Sequence, residues 1–198
     1  MNNANIDNWV RIKNGKVVAN DKLLFSSDSD IDSFLKETFK FLEIKYPKFH
    51  KMDQLSKLGF IASEVIANTT EFTEDTALIF SNSSSSLESD ANYQQSIKDF
   101  PSPALFVYTL PNIVLGEISI RFNLKSENAF FVEDAFSPGF LLTYSAQLLQ
   151  SSKADKVVCG WLNLHNAEYD VFLWTVSVVM CLPEIEMKLQ EIYNSDYD

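Results

Sequence analysis

The segment FFVEDAFSPGFLLTYSAQLLQSSKADKVVCGWLN, Phe130 to Asn163, constrains the fold more than any other stretch of the chain. It reads as a strand, a sharp turn, an apolar helix and a second strand. In the helix, Ser137 to Gln150, the residues Phe140, Leu141, Leu142, Tyr144, Ala146, Leu148 and Leu149 cover most of the circumference. A helix that is apolar all round is buried on all sides, so this one is expected at the centre of a layered structure with other helices on the outer face.

The remaining segments follow the same alternation. VRIKNGKVVA reads as a hairpin with Asn14-Gly15 at its turn. Acidic and Ser caps then precede Ile31, Phe34, Leu35, Thr38 and Leu42 at helical spacing, with Pro47 as the stop. A second amphipathic helix carries Asp53 as N-cap and Leu55, Leu58, Ala62, Val65 and Ile66 on its buried side. TALIFSN is a strand, the Ser tract after it a loop, and DANYQQSIKDF a helix. For the run from Phe100 to Asn128 periodicity alone is ambiguous: Pro111 suits a first helical turn and Ile113, Gly116, Glu117 and Ile120 share a helical face, while the β-branched residues argue for strand. NAFFVED, DKVVCGWLNL and YDVFLWTVSVVMC complete the strands, and an acidic helix opens at Pro183. The order β, α, α, β, α, α, β, α, β, β, α predicts an α/β layered sheet in one domain spanning residues 1–198.

Composition narrows the function. A formal charge of −11 repels phosphate backbones and anionic lipid, which disfavours nucleic-acid and membrane partners. Only 5 glycines are present, too few for a glycine-rich phosphate cradle. Cys159 and Cys181 each lie in an apolar run and read as reduced core thiols. With His50 and His165 the only histidines, neither a metal nor another cofactor is expected. No segment has signal-peptide or membrane-spanning character, and the expected location is the cytoplasm.

Nucleophiles are often mounted at a strand-to-helix turn like the one at 133–137, yet Phe136 stands on this one. Ser137, beside it, reads as the N-cap of the helix, its hydroxyl accepting an orphan amide. Glu133 and Asp134 are adjacent on a strand, so they point to opposite faces and do not form a cooperating pair.

The order of segments and several words in them resemble the N-terminal half of the β-ketoacyl-acyl-carrier-protein synthases, members of the thiolase-like superfamily. KMDQLSKLGFIASEVI is similar to that family's early helix. LPNIVLGEISIRFNLKSENAFFVEDAFSPG is similar to its stretch from Leu-Pro-Asn to the nucleophile motif Thr-Ala-Cys, and LLQSSKADKVVCGW to the run before its Gly-Gly strand. The similarity covers Lys51 to Leu162. Laid on this chain, the family's acyl-accepting Cys falls on Phe136, and the half that bears the two catalytic histidines is absent. His165 lies on the wrong side of the alignment to replace either.

The resemblance therefore implies a non-catalytic subunit of the chain-length-factor type, most like the short ketosynthase-like proteins of aryl-polyene and flexirubin pathways. Such a subunit pairs with an active 3-oxoacyl synthase. Phe136 would mark the lost nucleophile, and Tyr108, Asn112, Ser137 and Phe140 a vestigial pocket. Ala129, Phe130, Phe131 and Val132 would form the strand that pairs across the dimer. The partner is expected to be a full-length ketosynthase subunit or a second copy, and an acidic acyl carrier protein to be engaged only indirectly. Two other readings stay open: a stand-alone homodimer that binds an acyl or aryl-acyl ligand near Tyr108, Phe136 and Phe140, and an enzyme whose nucleophile is Ser137 or a cysteine.

Overall fold

A computed structural model describes residues 6–178 and 182–195. Cys181 lies outside the described residues. Seven strands form one mixed sheet in the order β3-β2-β1-β7-β6-β4-β5. The N-terminal meander comprises β1 (Trp9–Lys13), β2 (Lys16–Ala19) and β3 (Lys22–Ser26). Asn14 and Gly15 take left-handed φ values of 49° and 71° and make the expected two-residue turn. A side chain on Gly15 would strike the carbonyl of Ser27. Asn20 and Asp21 repeat the left-handed pair at 48° and 64°, which folds back β3, a strand not anticipated from sequence.

Helix α1 (Ile31–Phe41) buries Ile31, Phe34, Leu35 and Thr38 as the spacing requires. It ends at Leu42, and Glu43 turns the chain with φ of 53°. Pro47 starts a short 3-10 helix, Pro47–Lys51, rather than stopping α1. Helix α2 (Gln54–Ala67) follows, with the Asp53 carboxylate accepting the amide of Ser56 at 2.9 Å. Strand β4 (Thr76–Asn82) is buried throughout and lies parallel to both β5 (Asn128–Val132) and β6 (Lys156–His165). Between β4 and β5 run α3 (Leu87–Ser96), α4 (Pro103–Val107) and α5 (Ile113–Phe122). The ambiguous stretch is thus helical, although its buried face is Val114, Leu115, Glu117 and Ile118 and Ile120 faces solvent. Helix α6 (Pro138–Gln150) joins β5 to β6, a tight turn leads to antiparallel β7 (Glu168–Val176), and α7 (Leu182–Asn194) ends the fold.

Helices cover both sheet faces, not one outer face. One core lies under α1, α2 and α5 and takes Val10, Ile12, Leu78, Phe80, Leu162 and Leu173 from the sheet. The other lies under α6 and α7 and takes Trp9, Ile79, Cys159, Trp161, Phe172 and Trp174. The expected all-round burial belongs to α2 rather than to α6. Every residue of α2 from Leu55 to Ile66 except Lys57 is buried, because the helix is wedged between the sheet and its neighbours α1 and α5. Its small residues make this possible: a Cβ on Gly59 would meet Val114 at 2.6 Å and Leu162 at 2.9 Å. Helix α6 buries Leu141, Leu142, Ser145, Ala146 and Leu148 and leaves Phe140, Thr143, Gln147 and Gln150 as an exposed stripe. It rests on β4 and β6 of the sheet with α7 beside it.

Candidate functional site

The turn after β5 carries Phe136 over the second core, where the register of the sheet assembles a row of large side chains. Phe131 of β5 pairs with Ser81 of β4, Ser81 with Trp161 of β6, Trp161 with Phe172 of β7, and Phe172 with Arg11 of β1. Strand neighbours on one face point the same way. Phe136 meets Trp161, Phe172 and Trp174 edge-on, with centroids 6.3, 5.7 and 6.0 Å away. Such edge contacts set the negative face of one ring against the positive rim of another.

The fourth wall comes from the far end of the chain. Tyr193, in the last turn of α7, stacks on Phe136 with centroids 4.0 Å apart. Its other face receives the guanidinium of Arg11 at 4.4 Å. The Tyr193 hydroxyl donates to Asp170 Oδ2 at 2.7 Å, and Arg11 also pairs with Asp170 and donates to the carbonyl of Val171 at 3.1 Å. Burial and the neighbouring Asp170 push the phenol well above its ordinary range. Phe136 is therefore a packing residue that ties α7 to the sheet.

Among the described residues, neither Ser137 nor Cys159 has the setting a nucleophile needs. Ser137 occupies the N-cap position of α6, but its hydroxyl accepts no amide. Asp30 and Asp53, in contrast, do cap their helices through side-chain oxygens. The first helical residue is Pro138, and the carboxylate of Glu186 from α7 lies against Gly139. Cys159 is fully buried, and burial pushes its thiol up to about 12, partly offset by Ser145, whose hydroxyl lies 2.9 Å from the sulfur. That thiol stays protonated and inert at neutral pH. Glu133 and Asp134 share no hydrogen bond among the described residues; the Glu133 amide donates to Asn82 O at 2.9 Å. His165 ends β6 in solvent.

The four pocket residues do not converge. Tyr108, at the end of α4, packs against the opposite core and donates to Glu117 Oε1 at 3.3 Å while Lys48 approaches Oε2 at 2.8 Å. Burial first, and Glu117 second, raise its phenol. Asn112 precedes α5 without a side-chain cap bond. Phe140 lies on the exposed stripe of α6 and touches Phe131 edge-on at 4.8 Å. A cleft of about 170 Å³ borders Tyr108, Asp53, Lys57 and Glu88, and an open crevice of about 580 Å³ borders Ser83, Asn163, His165 and Asp170. Neither reaches Phe136, Ser137 or Phe140. No group of three His, Cys, Asp or Glu side chains poised for a metal occurs among the described residues.

The strand Ala129 to Val132, in contrast, lies at an edge of the sheet. Among the described residues, β5 closes the sheet and bonds to β4 on one side only. Phe130 packs into the first core, and Ala129 and Phe131 into the second, one adjacent Phe per face as expected. Val132 is 59% exposed at the strand end. Tyr144 of α6 lies 5.6 Å from Phe131 and donates to Glu127 Oε1 at 3.0 Å, so the α6 stripe continues the surface of the edge. Two features were not anticipated from sequence. One is Tyr193; the other is the apolar run around α4, where Phe100 is 80% and Phe106 56% exposed and Leu110 is also bare. The density of apolar residues in FPSPALFVYTLP was the available signal for the second.

No family model matches this sequence, and no curated protein matches it either. Solved structures do match. The ishigamide ketosynthase/chain length factor superposes with a TM-score of 0.64 at 16% identity, covering 87% of this chain and 61% of that one. The complex of the ketosynthase ApeO with its chain length factor ApeC from Xenorhabdus doucetiae gives 0.61 at 14% identity, covering 98% and 91%. A type II polyketide synthase assembly, acyl-carrier protein with its ketosynthase (AntDE:AntF), gives 0.54 at 14% identity, covering 77% and 51%. This chain thus spans less than two thirds of the first and third matched chains and nearly the whole of the second. At these identities the likeness is one of fold: the chain has the α/β fold of the ketosynthase and chain-length-factor proteins, as the resemblance implied. No helix among the described residues is long and apolar enough to cross a membrane.

Proposed function

We propose that this chain is a non-catalytic, chain-length-factor-type subunit that pairs with an active 3-oxoacyl-acyl-carrier-protein synthase in a polyketide or fatty-acid-type pathway, of which aryl-polyene synthesis is the nearest example. The observation that carries the reading is the conjunction at one turn. Phe136, where the resemblance puts the nucleophile, is part of a packed aromatic cluster, while the strand that leads to it, Ala129 to Val132, keeps its outer edge open among the described residues. The chemistry is gone and the pairing surface is intact. The whole chain acts as one unit, in the cytoplasm, and the partner supplies the thiolate, the histidines and the surface for an acidic carrier protein.

The alternative of a stand-alone acyl-ligand binder gains no support, since the space beside Phe136 is filled by Tyr193 and Tyr108 lies across the sheet. The test is co-expression with a full-length ketosynthase from the same genome, with the mass of the assembly and the length of its product as readouts. A one-to-one complex whose product differs in length from that of the ketosynthase alone supports the reading. A chain that ignores every ketosynthase offered ends it.

A further inference from the structure

The edge strand has charged ends. Glu127 precedes β5, and Glu133 and Asp134 follow it. Glu127 and Asp134 are exposed and Glu133 half-buried, and none of the three enters an ion pair among the described residues. Side chains alternate along a strand, so Glu127 and Glu133 share the face of Ala129 and Phe131; the bond from Tyr144 of α6 to Glu127 agrees with that placement.

A second copy of this chain would have to pair β5 with itself, antiparallel, about a two-fold axis. The only register that matches the whole strand puts the axis at Phe130, with Asn128 opposite Val132 and Ala129 opposite Phe131. The same register sets Glu127 directly opposite Glu133 of the other copy, and the symmetry does so twice. Directly opposed side chains have Cβ atoms about 4.5–5.5 Å apart, where like charges repel. Shifting the axis by one residue relieves the clash but shortens the ladder. The net charge of −11 on each copy opposes association further.

We infer that β5 is built against self-pairing and for a strand of a different chain that carries Lys or Arg at the positions facing Glu127 and Glu133. This deepens the function proposed above and rests on it for the partner's identity: the partner is a ketosynthase edge strand with basic ends. Repulsion that excludes the wrong partner is a common source of pairing specificity.

A charge-swap series tests it. Glu127→Lys turns both repulsive contacts of the self-pair into attractive ones, and Glu133→Lys does the same from the other side. The double variant Glu127→Lys/Glu133→Lys restores like-charge opposition. Sedimentation velocity at low salt is expected to find the wild type and the double variant monomeric, and both single variants dimeric with at least about tenfold tighter self-association, weakened by salt. Each single variant is also expected to lose affinity for the ketosynthase. Dimerisation of the wild type as tight as that of Glu127→Lys overturns the inference, as does a monomeric pair of single variants. If the wild type captures the ketosynthase while neither single variant dimerises, the inference falls and the proposed function stands. If the single variants dimerise while no ketosynthase binds the wild type, the charge argument stands and the proposed function falls.

Discussion

Among single residues, Phe136 joins the sheet to the C-terminal helix. Its ring touches four aromatic side chains drawn from β6, β7 and α7. Truncation to Ala leaves a hole that these rigid rings cannot close, and chemical denaturation is expected to show a loss of about 2–4 kcal/mol. Placing a thiol there with Phe136→Cys, as the ketosynthase resemblance suggests, is expected to destabilise similarly without producing an acyl-enzyme. Mass spectrometry after incubation with an activated acyl thioester checks this, and an adduct at that position would contradict the structural role. Cys159 gives a second residue-level prediction. Its pKa is near 12 in the folded chain and about 8.5 when unfolded, so between those values the unfolded state binds fewer protons. Stability is therefore complete below about pH 8.5 and falls as the pH rises toward 12. Cys159→Ala is expected to flatten that alkaline slope in pH-dependent melting. Native-state alkylation at pH 8, mapped by peptide, should leave Cys159 unlabelled.

At the scale of elements, residue type and backbone geometry divide the outcome. Asp53 and Ser137 were both read as caps, and only Asp53 bonds an amide. Asp53→Ala should cost about 1 kcal/mol or more, since it also strands the hydroxyl of Ser89, which donates to Asp53 Oδ2 at 2.6 Å. Ser137→Ala should cost less than about 0.5 kcal/mol, and urea titration of the two variants separates them. The existence and type of most elements were legible because apolar runs and turn residues announce them. β3 was not, because Asn20-Asp21 has to be read as a left-handed turn before KLLFS reads as a strand. The burial of the helices was exchanged between α2 and α6 for a clear reason. Hydrophobicity marks large side chains such as Phe140, whereas close packing depends on small ones, and Gly59, Ala62 and Ser63 give no apolar signal of comparable weight. Tyr193 was invisible for a different reason: its partners Phe136 and Arg11 are set by tertiary contact with the middle and the start of the chain.

At the scale of the whole molecule, one sheet covered on both faces leaves two kinds of surface unfinished: the edge of β5 with the outer stripe of α6, and the apolar run around α4. Single exposed apolar residues are ordinary, but contiguous ones mark contact surfaces. That Phe136 stands where the resemblance places a nucleophile was legible in the sequence, while the separation of the residues expected around it was not, because Tyr108 and Phe136 lie on opposite faces of the sheet. The central claim is that this chain works through a partner, and the most direct test is native mass spectrometry of the chain mixed with a full-length ketosynthase from the same genome, followed by product analysis. The account predicts a one-to-one assembly, lost on Phe131→Asp, and a product whose length differs from that of the ketosynthase alone. Two free proteins, with a product unchanged by the presence of this chain, would contradict it.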